Sequence, residues 1–90
     1  PILLIEDRTF TNAVLLPKVQ EAHAANRAAL RAAYEKLVKA GVPNLHYLRG
    51  DNLLGKDGED TVDGSHPTDL GFLRYADAVE PSIKQLLKTP

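Results

Sequence analysis

Asp63 and His66 are three residues apart, a spacing that can support catalysis. A carboxylate three residues before a histidine can accept a hydrogen bond from the imidazole Nδ1–H, which fixes the tautomer and leaves Nε2 free as a general base. Pro67 follows and restricts the backbone of His66, because a residue before proline is disfavoured in the α region. The alternative is a turn aspartate beside a solvated histidine. The spacing by itself favours that simpler structure, since Asp-x-x-His is common by chance.

The chain offers few nucleophiles for such a base. It contains no cysteine, and its serines are Ser65 and Ser82. Ser65 is adjacent to His66 and lacks the Gly-x-Ser-x-Gly turn that exposes a nucleophile, so the imidazole would have difficulty reaching its hydroxyl. We expect Ser65 to be a turn residue that hydrogen-bonds nearby backbone.

Charged residues follow the apolar run Ile2–Ile5, at what would be the carboxyl end of a strand: Glu6, Asp7 and Arg8. Ligands in open α/β sheets bind beyond the carboxyl ends of the strands. Arg8 is therefore a candidate substrate-binding residue. The alternative is a local ion pair with Glu6 or Asp7.

The segment 51–69 contains six acidic residues and the single basic residue Lys56, which raises the question of a calcium site. The spacing does not fit an Asp-x-Asp-x-Asp-Gly loop that ends in Glu, so a solvated acidic loop is favoured. His23 and His46 lack metal-ligand spacing and are expected to be structural or surface residues. We therefore predict no metal and no cofactor.

The hydrophobic pattern predicts the elements that would position these residues. The continuous apolar run Ile2–Ile5 suits a strand covered on both faces in a parallel sheet. Pro17 begins a helix that we expect to reach Ala40, before Gly41 and Pro43. The helix is expected to face the sheet with a narrow, mostly alanine stripe formed by Val19, Ala22, Asn26, Ala29, Ala33 and Leu37.

The second half of the chain predicts a strand, a long loop and a helix. Leu45–Leu48 reads as a strand parallel to the first, because a helical crossover joins the two. Residues 50–64 are punctuated by glycines and predict a polar loop. Apolar residues return at helical spacing from Thr68, in a helix that Pro81 is expected to kink.

Size and charge limit the possible functions. Ninety residues make at most one small domain, and 11 basic against 12 acidic residues argue against a basic nucleic-acid surface. No apolar run approaches the roughly 20 residues of a membrane span. Because two strands do not make a stable parallel sheet, we expect the missing strands to come from an upstream part of the polypeptide or from another copy of the chain.

The stretch Val62–Phe72 resembles the last conserved block of the SGNH, or GDSL-type, hydrolases, in which an Asp-x-x-His-Pro run supplies the catalytic acid and histidine. The likeness continues through Leu73–Pro81, and Pro1–Asn12 is similar to a late strand and loop of the bacterial esterase-like branch. The resemblance implies an α/β fold, with residues 1–90 as the C-terminal β-α-β-α part of one flavodoxin-like, three-layer hydrolase domain whose parallel sheet is incomplete in this chain.

The resemblance also implies a serine esterase that cleaves a small-molecule or carbohydrate ester through an acyl-enzyme, without a cofactor. Only Asp63 and His66 match the family's catalytic positions, as orienting acid and general base. The family's Gly-Asp-Ser block and its oxyanion Gly and Asn blocks are absent from the 90 residues, so the nucleophile is expected upstream and the chain alone is expected to be inactive. The alternative is a non-catalytic α/β fragment that acts as an interaction or assembly module.

Overall fold

The computed structural model describes residues 1–88. In chain order its elements are strand β1 (Ile2–Ile5), a 3-10 helix (Thr11–Leu15), helix α1 (Pro17–Lys39), strand β2 (Leu45–Leu48) and helix α2 (Asp69–Lys88). The strands pair in parallel, with Ile2 opposite Leu45 and Ile5 opposite Leu48. The predicted β-α-β-α order and the α/β class are confirmed, and α1 is the crossover that makes the pairing parallel.

Helix α1 faces the strands with a different set of residues from the one that the alanine spacing predicts. Of the predicted stripe only Val19 is half-buried, and the other five members are exposed. The inward positions are instead His23, Arg27, Leu30 and Tyr34. The prediction was wrong because this face is held largely by polar and aromatic contacts, such as the packing of Tyr34 on Tyr47 of β2 with ring centroids 5.0 Å apart.

The centre of the hydrophobic core comes from the segment that the sequence predicts to be a polar loop. Leu53 and Leu54 are each only 2% exposed and pack with Val79 of α2. Half-buried apolar residues of both strands and of α2 surround them: Leu3, Ile5, Leu48, Tyr75 and Ala78. Residues 50–64 are thus irregular in backbone, as predicted, but they also supply the core.

Helix α2 begins at a side-chain cap and lies very close to the preceding loop. The Thr68 hydroxyl accepts a hydrogen bond from Gly71 N–H at 3.1 Å, as an N-cap residue does. A Cβ on Gly71 would lie 2.1 Å from the carbonyl oxygen of buried Asp60, so only glycine fits there. The helix continues through Pro81 to Lys88. Neither α1 nor α2, the two long helices within residues 1–88, has a stretch apolar enough to cross a bilayer.

Candidate active site

Asp63 and His66 form a hydrogen-bonded pair in the loop before α2. His66 Nδ1 lies 2.5 Å from Asp63 Oδ2, and the two side chains are 74% and 51% exposed, respectively. A carboxylate oxygen only accepts, so Nδ1 carries the proton and Nε2 is the basic nitrogen of the neutral ring. No residue within 1–88 hydrogen-bonds to Nε2.

The Asp63 carboxylate also organises the backbone of its own loop. Its Oδ1 accepts hydrogen bonds from the backbone N–H groups of His66 at 2.8 Å and Ser65 at 2.9 Å. These two bonds, together with the bond to the imidazole, hold the pKa of Asp63 well below its usual range. The group is therefore an anion at neutral pH, which suits it to orient an imidazole and stabilise its charged form.

Short contacts close the loop and connect it to the segment after β1. Val62 N–H donates to the His66 carbonyl at 2.9 Å, and Gly64 N–H donates to the Thr61 hydroxyl at 3.1 Å. Thr11 N–H donates to the Gly64 carbonyl at 2.9 Å. The segments around residues 8–12 and 61–66, distant in sequence, therefore lie side by side.

Arg8 is the second connection between these segments. Its Nε donates to the Ser65 carbonyl at 2.8 Å, and its Nη2 donates to Ser65 Oγ at 2.9 Å. The ion pair expected as the alternative is also present, since Nη1 lies 3.5 Å from Asp7 Oδ1. A role in substrate binding stays a prediction.

Neither serine of the chain is arranged as a nucleophile for His66. Ser65 is a turn residue as expected, and its N–H donates a hydrogen bond to the Asp63 carboxylate. Its hydroxyl accepts a hydrogen bond from the Arg8 side chain instead of bonding to nearby backbone. Ser82 lies in the second half of α2, just past Pro81.

The acidic segment 51–69 has individual partners rather than a shared centre. Asp57 accepts two bonds from Arg74 at 2.6 and 2.7 Å, which hold the pKa of Asp57 well below its usual range. Asp60 is buried and accepts from the Thr11 hydroxyl at 3.0 Å. Within residues 1–88 no three His, Asp or Glu side chains are grouped to hold a metal ion.

Within residues 1–88 neither of the two remaining histidines hydrogen-bonds to Asp63 or His66. His23 is buried in α1, where its Nε2 accepts from Phe10 N–H at 3.1 Å and its ring meets the Phe10 ring edge-on. His46 is half-buried in β2. The structural role expected for His23 is what the structure shows.

Comparison with known proteins shows which family the chain belongs to. The family model described as the GDSL-like lipase/acylhydrolase family matches residues 1–84. The chain belongs to that family. No curated protein matches the chain.

A solved structure gives the same answer for the fold. A protein from Bacteroides ovatus, described as a candidate GDSL-like lipase, superposes with a TM-score of 0.92 at 36% sequence identity over 98% of this chain. The match covers 26% of that protein, so the chain spans about a quarter of its length.

The sequence could not reveal every residue that organises the site. Thr11, Thr61 and the Ser65 hydroxyl carry no chemical signature, and their roles depend on segments that meet only in the fold. One available signal was the Asp63-Gly64-Ser65-His66 run itself. An Asx turn in which Asp63 accepts from Ser65 N–H is typical of such a sequence.

Proposed function

We propose that this chain supplies the general base and the orienting acid of a serine esterase or acylhydrolase, and that residues 1–90 are the C-terminal part of a single hydrolase domain. The observation that carries the proposal is the 2.5 Å contact between His66 Nδ1 and an ionised Asp63 carboxylate, in a chain of the GDSL-like family. The nucleophilic serine lies outside the chain, upstream. We call the complete protein the intact hydrolase.

The geometry suits His66 Nε2 to accept a proton and give it up again in each of two steps. In the first, Nε2 takes the proton of the attacking serine hydroxyl, the serine oxygen bonds to the ester carbonyl carbon, and the proton passes to the departing alkoxide. In the second, Nε2 takes a proton from water, which attacks the acyl-enzyme, and returns it to the serine as the carboxylic acid leaves. Asp63 stabilises the imidazolium in both steps without taking the proton. No cofactor is needed.

High exposure of His66 supports a nucleophile from another segment. Its side chain is 74% exposed, so a serine can approach without moving the loop. Within residues 1–88, β1 pairs with β2 alone, and apolar side chains such as Leu15, Phe72 and Leu87 are exposed. We infer that the upstream segment that supplies the serine, or a second copy of the chain, covers the sheet and these side chains. The substrate is a small-molecule or carbohydrate ester.

Steady-state hydrolysis of p-nitrophenyl acetate by the intact hydrolase tests the proposal. His66→Ala should lower kcat by roughly 10⁴-fold or more, because it removes the proton acceptor. His46→Gln, a change at a half-buried histidine of β2, is the matched control and should keep kcat near that of the unmodified protein. Unchanged turnover in His66→Ala would reject the proposal and favour the non-catalytic interaction module.

A further inference from the structure

The loop that carries Asp63 and His66 has a shape of its own, which its internal bonds maintain. In these bonds the Asp63 carboxylate accepts from the N–H groups of Ser65 and His66, Val62 N–H donates to the His66 carbonyl, and Gly64 N–H donates to the Thr61 hydroxyl. They would survive a movement of the loop as a unit. A general base must also lie within hydrogen-bond reach of its nucleophile. Catalysis therefore depends on the position of the loop relative to the nucleophilic serine as well as on the shape of the loop.

Arg8 fixes the loop relative to the sheet. It comes shortly after β1, and its side chain is 27% exposed. The guanidinium lies beside Asp7 and 5.4 Å from the centre of the Phe10 ring, while two of its N–H groups donate to Ser65. Two bonds from a rigid planar group to one residue define orientation as well as distance.

The peptide unit between Ser65 and His66 is held from both sides. Its carbonyl oxygen accepts from Arg8 Nε at 2.8 Å, and its N–H donates to Asp63 Oδ1 at 2.8 Å. This unit leads directly into the Cα that bears the imidazole. Arg8 therefore restrains the backbone of His66 from the sheet, and Asp63 restrains it from within the loop.

We propose that Arg8 is a positioning residue for His66, acting through Ser65 to set where Nε2 meets the nucleophilic serine. The inference rests on the proposed function. It differs from the substrate-binding role predicted from sequence, because here the guanidinium acts on protein atoms. Loss of Arg8 should therefore lower kcat and leave KM nearly unchanged.

The test is Arg8→Ala in the intact hydrolase with p-nitrophenyl acetate. We expect kcat to fall by about 10- to 100-fold, as for a small misplacement of a catalytic group, with KM changed by less than about twofold. The pH profile of kcat should keep its shape, since the Asp63–His66 bond is local to the loop. Millimolar guanidinium should restore part of the activity. Arg31→Ala, at an exposed position of α1 paired with Glu35, is the control and should show neither loss nor rescue.

Three results would overturn the inference: an unchanged kcat, a raised KM with kcat retained, or a loss that accompanies a lower melting temperature and resists guanidinium. If Arg8→Ala does not fold, Ser65→Ala replaces it, since that change removes the bond to Oγ and keeps the carbonyl. It should lower kcat by about two- to fivefold at constant KM, roughly the value of one hydrogen bond, and an unchanged kcat would reject the inference. Activity of His66→Ala separates the two proposals, because its persistence would contradict the proposed function, whereas an unchanged kcat in Arg8→Ala would contradict the positioning role of Arg8 alone.

Discussion

Tyr47 of β2 donates a 2.5 Å hydrogen bond to the carboxylate of Glu6, the residue that follows β1. The second oxygen of Glu6 accepts from Gly50 N–H at 3.0 Å, and Arg27 of α1 lies 3.7 Å away. Burial raises the pKa of Glu6, but these bonds and the Arg27 charge outweigh it, and the net pKa is lowered. One buried anion thus connects both strands and the crossover helix at the edge where the site lies.

Removing that hydrogen bond should destabilise the protein in a pH-dependent way. Burial and the bond to Glu6 raise the pKa of Tyr47 from 10.0 to about 12. The contribution of neutral Tyr47 is therefore fully present below pH 10 and is lost as the pH rises toward 12. Tyr47→Phe should lower the free energy of unfolding by about 1–2 kcal/mol at pH 8.

Urea unfolding of the intact hydrolase at pH 8 and pH 11 measures this dependence. The difference in unfolding free energy between the unmodified protein and Tyr47→Phe should shrink at the higher pH. Tyr75→Phe is the matched control, because it removes a tyrosine hydroxyl of α2 and leaves the bond between Tyr47 and Glu6 in place. An equal cost of Tyr47→Phe at both pH values would contradict the expected behaviour.

The regular elements could be predicted because their signals are local. Ile2–Ile5 and Leu45–Leu48 are short apolar runs with charged or turn residues after them, and Pro17 marks the start of α1; the structure has the same strands and the same helix start. The Asp63–His66 contact was also within reach, since a three-residue spacing inside a turn brings the two side chains together.

The remaining features depend on contacts between distant segments. His23 lies on the inward face of α1, where its ring accepts a hydrogen bond from Phe10 N–H and packs edge-on against the Phe10 ring. Helical periodicity alone does not reveal these two contacts. Leu53 and Leu54 are hidden among polar neighbours in sequence, although the core forms around them. Arg8 and Ser65 are 57 residues apart, so their bonds could not be foreseen from local pattern.

Gly71→Ala tests the close approach of α2 to the loop through the sign of its effect. In an exposed helix interior the change would stabilise the protein by about 1 kcal/mol, because alanine is the better helix former. Here the new Cβ would lie 2.1 Å from the Asp60 carbonyl oxygen, and we expect a loss of about 1–3 kcal/mol or more. Urea unfolding of the intact hydrolase gives the sign, and a stabilised variant would show that the approach is looser than described.

Asp63→Asn should leave a partly active enzyme. The amide cannot stabilise an imidazolium as the anionic carboxylate does, but Nε2 of His66 remains able to take a proton. We expect kcat to exceed that of His66→Ala by about 10- to 100-fold while staying far below that of the unmodified protein. Parallel assays of the two variants under one set of conditions check the order, and equal activity of Asp63→Asn and the unmodified protein would remove Asp63 from the mechanism.

Locating the serine that reacts with a fluorophosphonate ester tests the central proposal most directly, because such reagents bond covalently to a serine oxygen that a general base has activated. Peptide mapping of the labelled intact hydrolase by mass spectrometry should place the label on a serine outside residues 1–90, and His66→Ala should slow labelling by orders of magnitude. A label on Ser65 or Ser82, or a labelling rate that His66→Ala leaves unchanged, would contradict the assignment of His66 as the base for a serine elsewhere in the protein.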